Sequence, residues 1–75
     1  MCLAIPAKLI DIEDNYAIAD IMGIRQKIDI SLLEEPCIND MVIVHAGYAI
    51  EKIDMNYYHF LSDFYLKELK AENDK

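Results

Sequence analysis

Seventy-five residues with 55% hydrophobic side chains make one small domain with enough apolar mass to fill a core. Fourteen acidic residues against seven basic ones leave a formal net charge of -7, which opposes binding to nucleic acid or to an anionic membrane surface. There is no basic, apolar leader and no run near the ~20 apolar residues that span a bilayer, so the expected location is cytoplasmic, with Cys2 and Cys37 as two thiols rather than a disulfide.

Strand patterns occupy the first two thirds of the chain. Residues 7–13 (AKLIDIE) are rich in apolar and β-branched side chains, and EDN (13–15) reads as a turn. Residues 16–22 (YAIADIM) follow, Gly23 punctuates, and 24–30 (IRQKIDI) place Ile24, Ile28 and Ile30 on one parity and Arg25, Lys27 and Asp29 on the other. That period of two is the mark of a half-buried strand, so residues 7–30 read as a three-stranded meander. SLLEEPCIND (31–40) breaks the alternation and reads as a long connection with room for one helical turn. MVIVHA (41–46) and YAIEKID (48–54) then give two more strands, or one strand bent at Gly47. Five short strands predict a mainly β fold, a small OB-like barrel.

The period changes after residue 54. Tyr57, Phe60, Leu61 and Phe64 recur at i, i+3, i+4 and i+7, which predicts an amphipathic helix over about 56–70, capped by Asp54 or Asn56. The simplest role for this aromatic stripe is to cover the open side of the barrel. The whole is a single domain over 1–75, with the barrel at about 1–54.

The chemistry concentrates at the start of the chain. If Met1 is removed, Cys2 carries a thiol and a free α-amine on adjacent carbons, a pair able to close a five-membered chelate ring on one metal ion. The unperturbed pKa values of ~8 and ~8.5 put both groups near neutrality, and the adjacent ammonium lowers the thiol further. Thiolate is a soft donor suited to low-valent iron, copper and zinc. The bland alternative is a small hydrophobe tucked against the first strand, since free cysteines are commonly buried. Pro6 opposes it: a residue with no N–H and a fixed φ makes CLAIP look like a presented arm more than a sheet strand. His45, just before Ala46 and Gly47, is either a structural histidine with one satisfied hydrogen bond or, if the chain bends there, an outward imidazole able to bind iron. His59 falls on the helix as a surface or boundary residue. Cys37 has no neighbour at ligand spacing, and no CxxC or HxxxH occurs.

MCLAIPAKL at the chain start and VIVHAGYAIEKID (42–54) together resemble the HypC/HupF family of nickel–iron hydrogenase maturation chaperones. The resemblance runs through residues 1–54, including the Gly23 turn. It implies an OB-like barrel with a C-terminal helix and a non-enzymatic role. It also implies a complex with the iron–sulfur scaffold protein HypD, on which iron acquires cyanide and carbonyl ligands, and binding to the precursor of the hydrogenase large subunit. The family's N-terminal cysteine matches Cys2, the iron-fragment ligand after loss of Met1, and its histidine before the glycine matches His45, a candidate second ligand. Cys2, Pro6 and His45 are then the partner-binding residues. The iron is carried transiently and shared with a partner, with none held tightly by the isolated chain, which is expected to be a monomer. Ala4 and Ala7 stand where Gly is frequent in relatives, MNYYHF replaces the family's usual helix start, and Cys37 belongs to no family motif.

Two other classes fit parts of the pattern. An N-terminal-cysteine nucleophile hydrolase would use the amine as its base, but it needs a deep pocket and an oxyanion hole that 75 residues can hardly build. A generic OB-type interaction module remains, with its nucleic-acid version opposed by the net charge.

Overall fold

The alternation along 7–30 folds into the expected meander, and two further strands close it on itself. The computed structural model describes residues 4–73. In chain order the elements are β1 (Ile5–Glu13), β2 (Tyr16–Ile21), β3 (Ile24–Asp29), β4 (Met41–His45), β5 (Tyr48–Ile53) and α1 (Met55–Asn73). The strands form a closed barrel in the order β1-β2-β3-β5-β4, with β4 against β1. Neighbours are antiparallel except β3 and β5, which run parallel and pair at Asp29 and Tyr48.

A barrel of five strands has a narrow interior, and the sequence fits it by size. Ala7, Ala17, Ala19 and Ala49 point inward where space is least, while Leu9, Ile28 and Val42 fill the centre. Two register shifts help the sheet curve shut. One puts Ile10 as the extra residue of β1, and the other puts Ile50 as the extra residue of β5. Such bulges bend a strand and raise its twist. Beside the first, the Leu9 amide donates to the Asp40 carbonyl (2.9 Å) and the Asn39 amide to the Leu9 carbonyl (2.8 Å).

Two hairpins share one turn chemistry. Met22 and Gly23 have φ of 50° and 92°, and Ala46 and Gly47 have 53° and 85°. Paired positive φ values give the two-residue turn whose twist matches that of the flanking strands. Gly47 is therefore the second residue of a hairpin turn rather than a bend within one strand. A side chain at Gly47 would meet nothing within 4 Å, so Gly47→Ala isolates the backbone term. The expected loss is about 1–2 kcal/mol, read from the urea midpoint at unchanged slope. A neutral result would show that the turn relaxes to another form.

Three expectations need correction. Ile24 was assigned to the buried parity with Ile28 and Ile30, yet it is 69% exposed. The β2–β3 hairpin runs on past the barrel there, since β5 joins β3 only at Asp29. Ile5 and Pro6 belong to β1 rather than to a free arm: Ile5 pairs with Val44 and Pro6 with Ile43. Proline is tolerated because β2 does not reach this stretch (the first β1–β2 pair is Lys8 with Asp20), so the missing N–H falls on an open side. The aromatic stripe is the third. Phe60 is 65% exposed, and Tyr57 and Phe64 are exposed too, with Tyr57 stacked on Phe60.

Two apolar stripes overlap on α1, and periodicity alone does not choose between them. Over residues 55–67, where burial is described, Tyr58, Leu61, Ser62 and Tyr65 are the half-buried residues, and the helix rests on β1 and β4. The interior is already filled by the strands, so the helix has only this flank to cover. Its start is the expected one: the Tyr57 amide donates to Asp54 Oδ1 (2.8 Å), making Asp54 the N-cap. Residues 31–40 form hydrogen-bonded turns without a helical segment. Lys52 pins that loop, donating to the Glu35 carbonyl (2.8 Å) and pairing with Asp40 (3.2 Å). Cys37 lies in it as an exposed free thiol.

Candidate functional site

One end of the barrel gathers the candidate residues. His45 is the last residue of β4, half-buried, and faces Tyr48 across the closing pair of the β4–β5 hairpin. Because Ile5 pairs with Val44, the chain comes into the barrel directly beside His45. The hairpin turn is held from behind, where the Asp29 amide donates to the Gly47 carbonyl (2.9 Å). Asp29 in turn accepts from the Ser31 hydroxyl (2.6 Å) and the Ser31 amide (2.8 Å), which hold its carboxyl below the usual carboxylate range. This end of the barrel thus carries an imidazole, an exposed tyrosine and a firmly ionised carboxylate on a braced turn.

Cys2 lies outside the described residues. The first described residue is Ala4. The Ala4 carbonyl accepts a hydrogen bond from the Tyr65 hydroxyl at 2.7 Å. Pro6 is fully buried, so its part is to direct the chain rather than to offer surface. His59 is exposed on α1, edge-on to the Tyr58 ring at 5.6 Å. Among the described residues, no group of three or more His, Cys, Asp or Glu side chains is placed to hold a metal ion.

Tyr65 is the residue that sequence reading misses. It lies next to the apolar stripe, and no local pattern announces a hydroxyl whose partner is 61 positions away. The turn after His45 is legible, because a glycine in an apolar run is a local signal.

The fold defines a class first: a small closed five-stranded barrel with a C-terminal helix, its candidate residues gathered at the strand ends. A family model described as the HupF/HypC family matches residues 1–61. The hydrogenase maturation factor HypC of Cupriavidus necator is 47% identical over 55 residues, a stretch that covers 72% of this chain and 61% of the relative. That of Helicobacter hepaticus is 45% identical over 56 residues, covering 65% of its length. The HypC of Rhizobium leguminosarum bv. viciae is 36% identical over 55 residues, covering 73% of it. The chain thus spans under two thirds of the length of the first two relatives. It belongs to the HupF/HypC family.

Proposed function

We propose that this chain is a hydrogenase maturation chaperone that binds a HypD-type iron–sulfur scaffold and the hydrogenase large-subunit precursor. It assists assembly or delivery of an iron that carries cyanide and carbonyl ligands, and that iron is cargo rather than a resident cofactor. Cys2, freed by removal of Met1, supplies the thiolate. His45 is the second donor, and the reading keeps the whole role non-enzymatic and cytoplasmic.

The observation that carries this reading is the family match over residues 1–61, which spans the cysteine, the barrel and the His45 hairpin. Geometry adds a support: the chain enters the barrel beside His45, since Ile5 pairs with Val44.

Purification of the tagged protein from its native cell, with metal analysis, tests the reading. Recovery of the scaffold together with iron is expected; a partner set with neither would overturn it. His45→Ala should weaken iron retention in that complex severalfold while the barrel survives, because the side chain closes a strand end and fills no part of the core. Loss of the folded circular-dichroism spectrum in that variant would instead assign His45 a purely structural role.

A further inference from the structure

We propose that Tyr65 is the positioning residue of the segment that leads into β1, its hydroxyl fixing the backbone at Ala4, two positions downstream of Cys2 in the sequence. The bond to the Ala4 carbonyl is 2.7 Å long and joins the helix to the chain 61 residues away. The first β1–β4 pair is Ile5 with Val44, so Ala4 lies outside the ladder and gains no support from it. Among the described residues this is the one side-chain hydrogen bond from α1 to the barrel or the segment leading into it. One turn earlier on the same face, Ser62 Oγ is buried without a partner, so polar anchoring on this face falls to the Tyr65 hydroxyl.

The helix is placed for the task. It packs on β1 and β4, the two strands that flank the point where the arm begins. The Phe64 ring stands edge-on to that of Tyr65, with centroids 5.6 Å apart, which limits where the Tyr65 ring can swing. An arm already held at Ala4 has less freedom to lose when it docks, so binding is stronger for the same contacts. Tyr65 also lies past residue 61, where the family match ends, so the clamp is a feature of this chain beyond the matched region.

The inference rests on the proposed function only in taking Cys2 as the group that docks. Tyr65→Phe tests it in the full chain, since it removes one oxygen and keeps the ring. Amide hydrogen exchange at Ile5, whose N–H shares a peptide unit with the Ala4 carbonyl and which opens the ladder against Val44, should accelerate by up to about fivefold, the factor carried by one hydrogen bond of ordinary strength. The ratio of Cys2 to Cys37 alkylation, read by mass spectrometry, should shift as well, with exposed Cys37 as the internal reference. The urea midpoint should stay near that of the parent, so a change confined to the arm is not a loss of fold. Unchanged exchange and an unchanged alkylation ratio would overturn the clamp.

Scaffold binding, measured side by side for Tyr65→Phe and Cys2→Ala, separates this inference from the reading beneath it. Weakening by both, with about fivefold for Tyr65→Phe, supports the clamp as a determinant of docking. Loss with Cys2→Ala alone overturns that role of Tyr65. No loss with Cys2→Ala removes the reading of Cys2 as the docking group, while the exchange and alkylation results still decide whether Tyr65 holds the arm.

Discussion

Cys2→Ala is expected to reduce hydrogenase maturation to background while leaving the barrel intact. The core is built from Ala7, Leu9, Ala17, Ala19, Ile28, Ile30, Val42, Val44 and Ala49, all of them downstream of the first ladder pair at Ile5. Cys2→Ala keeps all nine of these side chains, so the unfolding temperature should move by a degree or two at most. The chemistry changes completely, because a methyl group offers iron no donor while a thiolate is a soft one. Cys2→Ser makes the point from the other side: its oxygen is a hard donor that stays protonated at neutral pH, and maturation should again fail. A Cys2→Ala strain that matures hydrogenase at the parental rate would sink the role assigned to the sulfur.

The second large effect concerns the terminus. Met1 should be missing from the mature protein, as intact-mass spectrometry would reveal, and a Gly-Ser extension ahead of Cys2 should disable it. The extension leaves the thiol and converts the α-amine to an amide, a poor donor that carries no charge. It therefore removes the five-membered chelate and the ammonium that lowers the thiol pKa. It also adds chain ahead of the first ladder pair, Ile5 with Val44. Maturation by the extended form should fall at least as far as in the His45→Ala variant. Equal activity of extended and processed forms would show that the sulfur alone matters.

How much of this was legible follows from the range of each interaction. The strands of 7–30 could be read because alternation is a property of neighbours, and the turns at Gly23 and Gly47 because positive φ selects glycine locally. Asp54 was readable as a cap for the same reason: its partner is Tyr57, three residues on. Ile24 was misplaced because its exposure depends on where β5 stops pairing with β3, which no window around residue 24 contains. The helix was placed correctly and rotated wrongly. Its two candidate stripes differ by one residue, and the choice is made by a flank of the barrel and a carbonyl at Ala4. Pro6 was misread in a related way: the rule that proline avoids ladders holds for a strand paired on both sides, and β1 is paired on one side there.

The hinge of α1 has a mechanical meaning. Ile53 ends β5, Asp54 caps, and Met55 begins the helix, so a single residue separates barrel from helix. Eleven residues further on, at a rise of 1.5 Å each, Tyr65 sits on a lever arm of about 16 Å. A hydrogen bond fails when stretched by about 1 Å, so a swing of only ~4° about Asp54 is enough to open the link to Ala4. The helix is therefore an angular gauge: a tilt of a few degrees is enough to release the Ala4 carbonyl, long before any strand pairing has to change.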